Sequence, residues 1–123
     1  MTFNINWDKE GVYVIFRGNV TAQDLIDANN YVLSNANFES INYQIFDFLH
    51  IDDFKITSHD ITLVATMDKS QTESKEKMKI AILTVNNHVK EITSEYDQFM
   101  IGSDWKTKIF ETAEAAKEWV NAE

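Results

Sequence analysis

The chain has no cysteine, no proline and only three glycines in 123 residues. Without thiols, disulfides, zinc–thiolate sites and cysteine nucleophiles are excluded. There is no glycine-rich phosphate loop, no nucleophile elbow and no recognised metal motif, so the expectation is a protein that is not an enzyme. No window approaches the ~18 apolar residues that a membrane-spanning helix needs. Positive charge is also scarce, with 11 basic against 20 acidic residues and a net charge of −9. Such a surface repels phosphate backbones and anionic headgroups, which sets aside nucleic-acid binding and electrostatic membrane attachment. The residues Met1 to Trp7 alternate polar and apolar, with no basic region leading into an apolar run. That is a strand rather than a signal peptide, and a cytoplasmic location is the expectation.

Apolar residues make up 44% of the chain and aromatic residues 12%, enough to build a core. A chain of this length is expected to form one domain over residues 1–123. Its densest apolar stretch is Tyr43-Gln44-Ile45-Phe46-Asp47-Phe48-Leu49. That density suits a central strand covered by helices. The stretch runs into His50-Ile51-Asp52-Asp53-Phe54, which reads as a polar loop at the edge where open α/β sheets usually hold ligands.

The remaining elements follow from periodicity. Phe3, Ile5 and Trp7 share one face of a first strand, and Val12 to Phe16 form a second, joined to it by a hairpin turn in which Gly11 is free to take positive φ. Thr21 caps a helix carrying Leu25, Ala28, Val32 and Leu33. Ser58 caps a second, with Asp60 in its first turn and Ile61, Val64 and Ala65 inward. Asp68 to Lys77 reads as a helix tail and an exposed loop. Met78 to Val85 is a strand. Asn87 caps a third helix, in which Val89, Ile92, Tyr96, Phe99 and Met100 make the clearest amphipathic pattern. Trp105 to Phe110 is a last strand, and Thr112 caps a helix with Ala115, Ala116, Trp119 and Val120 on one side. The order β-β-α-β-α-β-α-β-α predicts an α/β fold, a five-stranded mostly parallel sheet with four helices.

The chain resembles the SpoIIAA-like branch of the STAS superfamily, the fold of anti-sigma-factor antagonists, which is also similar to CRAL-TRIO lipid-carrier domains. The resemblance rests on Phe16-Arg17-Gly18-Asn19-Val20-Thr21-Ala22-Gln23-Asp24-Leu25, on Met78 to Leu83, and on Ile109-Phe110 followed by Ala115 to Val120. It implies regulation by protein–protein contact. In partner-switching members a serine in an Asp-Ser-Ser-Gly motif, at the start of the helix after the third strand, is phosphorylated. The matching place here is Thr57-Ser58-His59-Asp60, which keeps a hydroxyl without the preceding aspartate or following glycine.

Several residues carry competing readings. Ser58 is a plain helix cap or a phosphorylation site at a helix N-terminus, where the dipole favours an anion but Asp60, Asp52 and Asp53 repel one. His50, Asp52, Asp53, His59 and Asp60 are of metal-ligating types, but their spacing fits no ligand motif, so no metal and no cofactor is expected. Asp47, inside the apolar strand, either caps a neighbouring element near the strand end or has a raised pKa and works. His88 is expected in an exposed first helical turn.

Two functions from different classes follow. The first is a non-catalytic binding domain whose contact surface surrounds Phe54, Ser58 and the second helix; exposure of Phe54 together with the Phe99-Met100-Ile101 helix end would mark such a surface. The second is a carrier or sensor of a small apolar, lipid-like ligand among Phe46, Phe48, Tyr96 and Phe99, which calls for a cavity of ~300 Å³ or more. The face of Phe3, Ile5 and Trp7 is a candidate homodimer surface, or the monomer's own edge.

Overall fold

A computed structural model describes residues 2–122. The elements are β1 (Phe3–Trp7), β2 (Gly11–Thr21), α1 (Ala22–Ser34), a short 3-10 turn (Ala36–Ser40), β3 (Tyr43–Lys55), α2 (Ser58–Lys69), β4 (Lys77–Leu83), α3 (Asn87–Phe99), β5 (Asp104–Phe110) and α4 (Ala113–Asn121). They build one five-stranded sheet in the order β1-β2-β3-β4-β5. β1 runs antiparallel to β2, and every other pair is parallel. The expected α/β fold is therefore the observed one, with strand order now added.

The strand period sorts side chains onto two faces. On the front, Val12, Val14, Phe16, Phe46, Phe48, Ile80, Ile82 and Trp105 are buried beneath the inner faces of α1, α2 and α3. Phe3, Ile5 and Trp7 pack half-buried against this same core, so their alternation is accounted for by the chain's own sheet edge. On the back, Tyr43, Ile45, Ala81 and Leu83 pack against Ala116 and Val120 of α4. Three helices cover one face and a single short one the other.

β3 is longer than its sequence pattern indicates. Tyr43 to Asp47 pair with both β2 and β4, whereas Arg17 to Thr21 pair with His50 to Lys55 on one side only. Register shifts flank Arg17 and Gly18, and Gly18 takes φ +70 there. The stretch expected to be a loop is thus the outer half of a strand, pairing with a single neighbour. Gly11 also departs from expectation, since among the described glycines only Gly18 and Gly102 have positive φ. Its role is close approach. The Tyr43 ring lies across Gly11, where any Cβ would overlap it.

Candidate functional site

The helix that follows β3 is started by Thr57 rather than Ser58. The Thr57 hydroxyl accepts the Asp60 N–H at 3.2 Å, and the Asp60 carboxylate accepts the Thr57 N–H at 2.9 Å, a reciprocal capping box. Thr21 and Asp24 form the same box at the start of α1. The threonine-x-x-aspartate spacing was the available signal, and it outranks the serine one place later. Relieved of capping, Ser58 is the first residue of α2 with its side chain exposed. It lies on an outward row with Thr62 and Thr66 at four-residue spacing, and Leu63, elsewhere on α2, is 44% exposed. α3 likewise begins one residue earlier than expected, because Asn86 accepts from the N–H groups of His88 and Val89.

Phe54 does not belong to this surface. It lies in the outer half of β3, is 5% exposed, and meets the Phe48 ring edge-on at 5.3 Å. The reason is strand alternation: Phe54 faces the core while Asp53 and Lys55 face solvent. Phe16 stacks on Phe48 at 4.6 Å, which extends an aromatic row with Phe46. His88, half-exposed at the start of α3, lies edge-on to Phe54, and its Nε2 is 2.7 Å from the Ile56 carbonyl oxygen. At the other end of α3, Met100 is buried while Phe99 and Ile101 are exposed. The Lys69 ammonium donates to the Phe99 carbonyl at 3.1 Å and lies over its ring. Phe54 and the α3 end are therefore not exposed together. His50, Asp52, Asp53 and His59 are exposed, and the described residues contain no grouping of three or more His, Asp or Glu side chains placed to hold a metal ion.

Phe46, Phe48, Phe54 and Tyr96 do converge, on a cavity of about 50 Å³ between the helix layer and the sheet. Phe99 is not among its walls. One end of this space is polar. Asp68, expected in an exposed helix tail, is 2% exposed and accepts from Asn29 Nδ2 of α1 at 2.8 Å and from the Tyr96 hydroxyl of α3 at 2.5 Å. Burial pushes its pKa from 3.8 up to about 6, against the lowering effect of the hydrogen bonds from Tyr96 and Asn29. The Tyr96 hydroxyl is held well above its ordinary range by burial first and by the Asp68 charge second. Gln44 of β3 also lines this space, and its buried Nε2 has no hydrogen-bond partner among the described residues.

On the back face, Asp47 is in mid-strand, not near a strand end, and is 3% exposed. One of its oxygens accepts the Tyr13 hydroxyl at 2.8 Å and the other the Leu49 N–H at 2.9 Å. Burial, and then the bond to Asp47, raise the Tyr13 pKa. Nearby, the Tyr43 hydroxyl donates to Asp8 at 3.0 Å and is pushed up to about 12, by burial and then by that bond. A shallow groove beside α4, walled by Trp7, Tyr13, Ile15, Leu49 and Lys117, leaves this part of the sheet without a helix over it.

No protein-family model matches the sequence. No curated protein matches it either. Solved structures do match in fold. An uncharacterised protein of the DUF3478 family from Shewanella loihica, described as having a SpoIIAA-like fold, is 16% identical, with 96% of this chain and 91% of that one covered at a TM-score of 0.55. The anti-sigma factor antagonist SpoIIAA in its unphosphorylated form is 13% identical, covering 98% of this chain and 99% of its own at a TM-score of 0.61. The Bacillus cell fate determinant SpoIIAA in its phosphorylated form is 12% identical, with 97% and 99% covered at a TM-score of 0.63. From β1 to α4, then, this chain has the SpoIIAA-like fold.

Proposed function

We propose that the protein is a cytoplasmic, non-catalytic regulatory domain that works by protein–protein contact through the exposed side of α2. The observation that carries this reading is the end-to-end fold match to an anti-sigma factor antagonist, covering 98% of this chain and 99% of the other. The exposed side of α2 supports it, since Leu63 is an apolar side chain left 44% exposed there and Ser58 is exposed in the first turn. The two buried aspartates support a non-catalytic role. Both oxygens of Asp47 and both of Asp68 accept structural hydrogen bonds, and neither faces a paired nucleophile or base. The cavity's size weighs for contact over carriage, because about 50 Å³ is well below the ~300 Å³ of an ordinary ligand pocket.

Ser58 refines the reading into a switch. The relative solved in both forms carries a phosphate on this fold, and Ser58 stands exposed in the first turn of α2, where N–H groups and the helix dipole favour an anion. Asp60 opposes a second negative charge there but is occupied by the Thr57 N–H. The test is affinity capture from the host with the tagged full chain. Leu63→Glu is expected to lose the partners recovered by the parent while keeping its unfolding midpoint, and Ser58→Glu to lose them where Ser58→Ala does not. Unchanged recovery with Leu63→Glu would remove α2 as the contact. Equal recovery with both Ser58 variants would remove the switch.

A further inference from the structure

We infer that the outer edge of β1 is a pairing surface for a second copy of this chain, the two β1 strands joining antiparallel about a two-fold axis at Ile5. This does not rest on the contact reading, because it concerns the edge of the sheet and not α2. Thr2 accepts the Arg17 N–H at 2.8 Å, and the Asp8 N–H donates to the Gly11 carbonyl at 2.9 Å. Both ends of the β1–β2 ladder therefore turn the backbone of Thr2, Asn4, Asn6 and Asp8 toward β2. That direction alternates in an antiparallel ladder, which leaves the N–H and C=O groups of Phe3, Ile5 and Trp7 aimed out of the sheet. Among the described residues no other element or side chain bonds to them. Packing against the core accounts for where these three side chains point, but it leaves the backbone beside them open.

Native sheets blunt an open edge with charge, proline, a bulge or a covering segment. The far edge here is blunted, since β5 carries the exposed Lys106 and Lys108. β1 has no charge from Phe3 to Trp7, no proline and a register without a break. Its sequence is also self-complementary. With Ile5 opposite its own counterpart, Phe3 falls opposite Trp7 and Asn4 opposite Asn6. The outward groups of Phe3, Ile5 and Trp7 then bond to one another in the closely spaced pairs of the new ladder. A two-fold axis normal to the sheet keeps front on front. The half-buried Phe3, Ile5 and Trp7 of both copies thus form one apolar strip, and the exposed asparagines meet on the back. α1 adds to this surface. Its Asn29 turns toward Asp68 of α2, while Tyr31, two residues on, lies on the other flank and is 56% exposed. Because α1 packs on β1 as well as on α2, that flank is the one beside the open edge. A strand of another protein would satisfy the backbone, but the match of every side chain is found in a second copy.

The test is sedimentation equilibrium of the full chain. A five-residue edge is a small interface and the net charge of −9 sets copies against each other, so a reversible dimer with a Kd on the order of 10 μM is expected. Asn4 and Asn6 are exposed in the single chain, so their replacement spares the fold and reads the register. Asn4→Lys/Asn6→Lys sets like charges opposite each other and is expected to weaken the dimer about tenfold, although it reduces the net charge of the chain. Asn4→Lys/Asn6→Glu sets opposite charges across the same pairs and is expected to keep the dimer. In the unaltered protein, amide hydrogen exchange at Phe3, Ile5 and Trp7 is expected to slow as protein concentration rises, which keeps the test decisive even if a variant fails to fold. A chain that stays monomeric up to about 1 mM would overturn the inference and leave the edge to a strand of another protein. Equal weakening by the two double variants, or exchange at Ile5 that does not depend on concentration, would overturn it as well.

Discussion

Each face of the sheet buries one aspartate against one tyrosine hydroxyl, and the two clusters are held together by different means. On the back, Asp47 takes its bonds from Tyr13 on the adjacent strand and from the Leu49 N–H two residues along its own strand. Both partners are placed by sheet formation itself. On the front, Asp68 takes its bonds from Asn29 and Tyr96, so three helices must already be packed before the carboxylate is satisfied. Among the described residues no backbone N–H outside α2 donates to it, and no basic side chain shares its space. Asp68 therefore reports on the packing of the helix layer, and Asp47 on the pairing of β2 with β3.

The largest test of that difference is Asp68→Ala at pH 5, where Asp68 is mostly protonated. It leaves Asn29 Nδ2 and the Tyr96 hydroxyl without their partner in the interior, and the expected loss is about 3 kcal/mol of unfolding free energy in a denaturant titration. A loss below about 1 kcal/mol would mean that water takes over the aspartate's role. Next in size is the pH dependence. With a folded pKa of about 6 against an ordinary 3.8, the unfolded chain gives up this proton first as pH rises. The contribution of Asp68 is then fully present below 3.8 and is lost as pH climbs through 6, by up to about 3 kcal/mol at 1.36 kcal/mol per pKa unit. Asn cannot titrate, so the stability of the unaltered chain minus that of Asp68→Asn should fall between pH 4 and pH 7. A flat difference would show that Asp68 titrates alike in the folded and unfolded chain.

How much of this could be read from the sequence depends on how local the cause is. Alternating and helical spacings are local, so the element order, the inner faces of α1 and α2 and the cap at Thr112 were legible. Strand order was not, because parallel crossovers leave no mark on the strands they join. The outer half of β3 was misread since it pairs with one neighbour only and keeps one apolar face, and this misplaced Phe54 in a loop. Asp68 could have been found. Ile61, Val64, Ala65 and Asp68 continue one helical stripe without a break, and only the polar run from Lys69 onward argued for solvent. What no local pattern carries is the identity of its partners, which lie 39 and 28 residues away. Gln44 is the same case: its neighbours in the chain define a buried strand, but whether a polar side chain there finds an acceptor depends on three helices.

The smallest expected effect belongs to the back face. Asp47→Ala removes the acceptor of Tyr13 and of the Leu49 N–H, yet Tyr13 borders an open groove where water can replace the lost bond. About 1 kcal/mol of unfolding free energy is expected to go, well short of the loss at Asp68. The informative readout is the tyrosine itself. Burial is the larger cause of its raised pKa and the bond to Asp47 the next, so the Tyr13 ring, followed by NMR through alkaline pH, should ionise at lower pH in the variant without reaching its ordinary 10. A titration identical to that of the unaltered chain would mean that burial alone holds the proton on Tyr13, and that the back-face pair is a packing contact rather than an electrostatic one. A large loss of stability would instead make Asp47 the equal of Asp68, and the contrast between a carboxylate served by its sheet and one served by distant helices would no longer hold.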